Sequence, residues 1–147
     1  MQEEILNFLD TERTGVLAVE MLDGSPHGAA LHFAYLKDPF AFIFLTTPTY
    51  RKSEPLLKNK TARATFVVGT SEATMKTLQI DGVAEIADTN DIRDAYFAKF
   101  PEKNGKHPED IFFTLAPTRW QYTDWTKPEG KTIITSDGKV SVVGKPA

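Results

Sequence analysis

The sequence has no cysteine in 147 residues. That excludes disulfide cross-links, thiol nucleophiles and cysteine-ligated metals, and it sits easily with a reducing compartment. Charge of one sign is also scarce. Seventeen basic against 20 acidic residues leave a formal net charge of −3, which offers no global field for nucleic acid or an anionic membrane. No stretch approaches the ~18 consecutive apolar residues of a membrane helix. The start, Met1-Gln2-Glu3-Glu4, is acidic where a signal peptide would be basic. These absences predict a cytoplasmic protein with neither nucleic acid nor membrane as a partner. His27, His32 and His107 show no tight ligand spacing, so no metal site is expected. Gly-x-Ser-x-Gly elbows, Walker loops and Gly-x-Gly-x-x-Gly turns are missing too, which removes the usual support for a hydrolase or a nucleotide triphosphatase.

What the chain does have is aromatic bulk, including ten Phe, and a length that suits one hydrophobic core. Ile5, Leu6, Phe8 and Leu9 fall at near-helical spacing and predict a short amphipathic helix. Val- and Thr-rich residues 14–22 read as a strand, and Leu22-Asp23-Gly24-Ser25 carries the Asp-Gly signal of a hairpin, with a return strand from about 27 to 35. After a turn at Leu36-Lys37-Asp38-Pro39, the run Phe40-Ala41-Phe42-Ile43-Phe44-Leu45-Thr46 suits a strand buried on both faces.

Residues 53–59 read as a short helix with Ser53 as its N-cap and Pro55 in the first turn. Alternation predicts strands over 62–68 and 76–86. A helix follows between Thr89 and Phe100, with Ile92, Ala95, Tyr96 and Phe100 on one face. Residues 111–115 and 118–123 are strand material around Pro117, and a small hairpin is expected around Ser136-Asp137-Gly138. The chain divides into a main domain, 1–126, and a peripheral tail, 127–147. Connections among the first three strands are too short for parallel crossovers, so an antiparallel, nearly closed barrel is expected.

Chemistry points to Thr46-Thr47-Pro48-Thr49-Tyr50-Arg51-Lys52-Ser53, where two cations and several hydroxyls adjoin a strand-to-helix junction. Arg offers a rigid fork and Lys a compact charge, a combination suited to phosphate. Elsewhere the residues point nowhere in particular: the carboxylates Asp10, Glu12, Asp23, Glu85 and Asp88 fall at turns or element ends, where such groups are normally solvated.

From Phe44 to Ile86 the chain resembles the pyridoxamine 5′-phosphate oxidase-like FMN-binding split-barrel superfamily. The resemblance rests on Phe44-Leu45-Thr46, Arg51-Lys52, Leu56-Leu57-Lys58-Asn59, Ala64-Thr65-Phe66-Val67-Val68 and Gly82-Val83-Ala84-Glu85, with Asp23-Gly24-Ser25-Pro26-His27 before them and Trp120 after. It implies a mainly β fold with short helices, a six-stranded antiparallel split β-barrel.

The resemblance further implies that Arg51 and Lys52 hold the phosphate of FMN, that Thr46 and Thr47 lie along the flavin, and that His27, Gly28, Ala29 and Ala30 pass beneath its ring. It implies a homodimer with flavin sites at the subunit interface, Thr77 and Gln79 completing the partner's site and Trp120 near the flavin. The implied function is an oxidoreductase moving electrons through bound flavin to or from an unidentified small molecule. The alternatives are a non-catalytic flavin-binding or stress-response protein, and a haem- or deazaflavin-binding relative. Tyr50 stands where the family often has Ser. The Arg- and His-containing C-terminal motif that holds pyridoxamine phosphate has no counterpart, so vitamin B6 oxidation is not expected.

Overall fold

A computed structural model describes residues 1–144. In chain order the elements are α1 (Glu3–Thr11), β1 (Thr14–Glu20), β2 (Pro26–His32), β3 (Ala34–Lys37), β4 (Phe40–Thr46), α2 (Glu54–Asn59), β5 (Thr61–Val68), β6 (Lys76–Ile86), α3 (Asn90–Lys99), β7 (Ile111–Asp124), β8 (Lys131–Thr135) and β9 (Val140–Val143). Single 3-10 turns at Arg51–Ser53 and Pro101–Lys103 precede α2 and follow α3.

All strand pairs are antiparallel, in the order β2-β1-β5-β6-β7-β4-β3, with β8 beside the C-terminal half of β7 and β9 beyond β8. The sheet curls into a half-barrel. Burial alternates along β1 and β6 so that Leu17, Val19, Leu78, Ile80 and Ala84 point inward, the period-2 pattern of a sheet wetted on one side. Phe33, Phe42, Phe44, Phe66 and Phe113 fill the interior with no exposed surface, packed edge-on or offset at centroid distances of 4.9–5.9 Å. Each buried ring contributes roughly 1.5–3 kcal/mol relative to an exposed one. Helix α1 closes this core with Ile5, Phe8 and Leu9.

The strand β4 is buried on both faces, as its aromatic run predicts. Phe42 and Phe44 face the barrel, whereas Ile43 turns outward into a second cluster with Ala34, Phe112 and the Ile92, Tyr96 and Phe100 face of α3. Thr89 caps α3, its Oγ1 accepting from the Ile92 amide.

The split-barrel class holds, but among the described residues the sheet has nine strands, not six. The return strand breaks at Phe33, which is swallowed by the core at a corner where the chain leaves β1 and begins pairing with β4. The hairpin at Ser136-Asp137-Gly138 supplies two more strands, and β8 carries Ile134 into the main core. Across Pro117 the chain runs as one strand: a register shift beside Asp81 and Gly82 leaves Thr118 unpaired as a bulge, and its hydroxyl donates to the Asp81 carbonyl. Among the described residues no helix is long and apolar enough to cross a membrane.

Candidate anion and cofactor site

β4 ends where Pro48 withholds an N–H, and the chain closes a turn with the Tyr50 amide donating to the Thr47 carbonyl at 3.1 Å. The Arg51–Ser53 turn follows and runs directly into α2, with Pro55 in the first helical turn as expected. Ser53 is not the side-chain cap of that helix. Its backbone is already helical, and its hydroxyl donates back to the Thr47 carbonyl at 3.0 Å, stapling the turn.

That turn treats its two cations differently. Arg51 is exposed, whereas Lys52 is 5% exposed with its Nζ 4.4 Å from the centroid of the Tyr50 ring. Burial pushes the Lys52 ammonium below the ordinary lysine range, and Asp110 works in the opposite direction. Among the described residues no carboxylate lies within ion-pair distance of Lys52.

Two further polar atoms meet here. Thr46 is 3% exposed and its Oγ1 has no hydrogen-bond partner, and the Asp110 Oδ1 is likewise buried and unpartnered. Thr46 pairs with Ile111, the residue after Asp110, so the ladder itself brings them close. A buried polar group without a partner costs about 1–3 kcal/mol, so the arrangement suits a ligand with an anionic end and nearby hydroxyls. A cavity of ≈ 320 Å³ opens beside Asp110, lined also by Leu45, Tyr96, Lys103 and His107.

The first hairpin reaches the same corner. The Arg51–Ser53 turn packs against β2. The Asp23 carboxyl is held below its ordinary range chiefly by donors from Ser25, with Arg51 adding to the effect. On β2, His27 and Ala29 are half-buried while Gly28 and Ala30 are exposed, opposite Ala18 and Val16 of β1. A Cβ on Gly28 would meet nothing nearer than the Leu17 carbonyl at 4.0 Å, so this is a smooth, open surface.

Thr77, Gln79 and Trp120 lie elsewhere. Thr46 pairs near the start of β7, and Gln79 pairs with Gln121, roughly 30 Å further along at ~3.3 Å per residue. Thr77 and Gln79 do face outward together, with Leu78 and Ile80 inward, but the Thr77 hydroxyl donates to the Val68 carbonyl at 3.1 Å. Trp120 packs against the barrel core and exchanges hydrogen bonds with Ser136. Across the sheet, Gln79 pairs with Val67 of β5, and that row continues through Val16 of β1 to Ala30 of β2. Sequence reasoning missed Asp110. It sits in a polar loop with Glu102 and Glu109, and only its place before an aromatic strand sets it apart.

Comparison with solved structures gives the same architecture in several proteins. A conserved hypothetical protein, Rv2991 of Mycobacterium tuberculosis, aligns at 22% identity over 82% of each chain with a TM-score of 0.63. A putative pyridoxamine 5′-phosphate oxidase of Listeria innocua aligns at 19% identity over 80% of this chain and 94% of its own, also with a TM-score of 0.63. The haem storage protein HutZ of Vibrio cholerae aligns at 21% identity over 79% of this chain and 89% of its own, with a TM-score of 0.59. At these identities the likeness establishes the fold. Among proteins of curated function, none matches. The sequence model of the pyridoxamine 5′-phosphate oxidase family matches residues 1–124, and with the fold in agreement, the chain belongs to that family.

Proposed function

We propose that the protein is a cytoplasmic, homodimeric FMN-binding oxidoreductase acting on a small molecule. The observation that carries the reading is Lys52, a nearly buried cation with no carboxylate of the described residues within ion-pair distance, set beside the exposed fork of Arg51. Removing an ammonium from water costs several kcal/mol unless an anion compensates, and a phosphate supplies that anion.

The donor set fits more than the phosphate. FMN carries ribityl hydroxyls between its phosphate and its ring, and Thr46 Oγ1 and Asp110 Oδ1 are the unpartnered groups available to them. Gly28 and Ala30 leave an open surface on which a planar ring can lie near the backbone. When bound, flavin supplies the electron chemistry. The chain's own part is to neutralise the phosphate with Arg51 and Lys52, orient the ribityl chain, and keep side chains clear of the ring. The exposed, mostly small residues Val16, Gly28 and Ala30 on the outer side of β1 and β2 give a second copy a surface on which to complete the site.

Haem is the second reading, favoured by the likeness to HutZ. Titration of the purified protein with FMN, followed by flavin fluorescence and the visible spectrum, separates the two. Saturation near one FMN per chain supports the proposal, whereas haem uptake with no flavin response overturns it. A deazaflavin would declare itself by its own absorption. Turnover with NAD(P)H and an artificial acceptor then distinguishes an enzyme from a flavin carrier.

A further inference from the structure

We propose that Lys99 is a site of acylation by small acyl phosphates, and that its amine fastens α1 to α3 until that reaction occurs. Lys99 lies in the last turn of α3 and reaches across to the carbonyls that end α1. Its Nζ donates to the Glu12 carbonyl at 2.5 Å and to the Leu9 carbonyl at 3.4 Å, and it sits 4.0 Å from the centroid of the fully buried Phe33 ring. The Leu9 carbonyl also accepts from the Glu12 amide at 3.2 Å, so one side chain from another helix bridges the last turn of α1 and the capping residue that follows it.

Lys99 is only half-buried, and it lines a groove of ≈ 420 Å³ between α1, β3 and α3 together with Asp10, Ala34, Tyr35, Lys37, Ala95 and Ala98. Its three alanines leave room for a compact electrophile. The charged and titratable groups around it are Asp10 of α1, Glu12 and Arg13 just after that helix, His32, Tyr35, whose hydroxyl donates to Asp10, and Lys37 in the groove lining. Lys37, which lines the groove, provides a cation for the phosphate half of an acyl phosphate.

Burial lowers the Lys99 amine to about 8, with Arg13 assisting and Asp10 and Glu12 opposing. Near pH 8 much of it is therefore neutral, against under ~1% for an ordinary lysine of pKa ≈ 10.4. A neutral amine has two N–H bonds, matching the two carbonyls, and one lone pair left to react. In the reaction that lone pair forms a bond to the acyl carbon, the carbon–oxygen bond to phosphate breaks, phosphate leaves with the electron pair, and the nitrogen's extra proton passes to water. The resulting amide has one N–H and no charge, so it serves at most one of the two carbonyls and loses the favourable contact with Phe33.

The test uses the full chain and acetyl phosphate across pH 7–10, with acetylated peptides quantified by mass spectrometry. At pH 8 Lys99 is expected to acetylate about tenfold faster than exposed Lys58 and Lys139, the ~100-fold advantage in neutral fraction being offset by weaker nucleophilicity at lower pKa. Its rate is expected to level off above about pH 8. A Lys99 rate no faster than theirs, or one climbing without inflection to pH 10, overturns the site. Hydrogen exchange of α1 is expected to quicken in the acetylated protein and to stay slow in Lys99→Arg treated identically. Unchanged exchange after stoichiometric acetylation overturns the fastening role.

Discussion

Lys52 and Lys99 are both drawn out of water, and each shows what its surroundings ask of it. Lys99 donates to backbone carbonyls and lies on aromatic rings, so its burial serves the fold. Lys52 has only the face of Tyr50 and the more distant field of Asp110, so its burial costs stability in the absence of ligand. Lys52→Met is accordingly expected to stabilise the ligand-free protein by about 1 kcal/mol in chemical denaturation while weakening anion binding, the trade common at functional sites.

Lys99 predicts a pH effect of definite sign. Its folded-state pKa is near 8 and the unfolded value is ordinary, so between about pH 8 and 10 the unfolded chain holds the extra proton. Stability attributable to this group therefore rises with pH through that window. Urea melts should show the wild type gaining on Lys99→Met from pH 8 to 10, and a gap that narrows would contradict the assignment. The Arg-Lys pair was legible in the sequence. That only Lys52 would be buried was not, because it depends on which way a single 3-10 turn rotates consecutive side chains.

At the scale of elements, local signals located most of the structure. The Asp23-Gly24 turn, the aromatic β4 and the Thr89-capped α3 all form where turn chemistry, periodicity and capping put them. Thr89→Ala should cost about 1 kcal/mol, the usual loss for such a cap, measurable as a shift in the denaturation midpoint. What local signals could not supply was set by tertiary pairing. No Gly or Pro marks the break at Phe33, since the corner exists only because two different strands claim the two halves of that segment. The bulge at Thr118, next to Pro117, was invisible for the same reason, although Gly82 across from it hints at it. A Cβ there would fall 2.3 Å from the Ala116 carbonyl. Gly82→Ala should therefore destabilise by roughly 1–3 kcal/mol through overpacking against backbone.

For the whole molecule, the half-barrel leaves one sheet face without cover. Val16, Ala18, Gly28, Ala30 and Thr65 lie on the outer side of β1, β2 and β5, mostly small or apolar and partly or fully exposed. If a second copy covers this face, as proposed, Ala30→Glu places an unpaired charge within it. The expected result is a monomer by light scattering with weaker FMN binding and an unchanged far-ultraviolet dichroism spectrum, whereas a dimer of normal affinity would argue for a different interface. The sequence made the barrel legible through family motifs and strand spacing, but Asp110 could be placed only once the β4–β7 ladder set it beside Thr46.

Recognition of a flavin through its phosphate by Lys52 and Arg51, as proposed, is tested by titrating the protein with FMN and with riboflavin, which lacks that group. Charge-assisted phosphate contacts worth ~1.5–3 kcal/mol each predict that FMN binds at least about 100-fold tighter. They also predict that the preference collapses in the Arg51→Ala, Lys52→Ala double variant. Equal affinity for the two flavins in the wild type, or a preference that survives the double substitution, would rule out phosphate recognition by this pair.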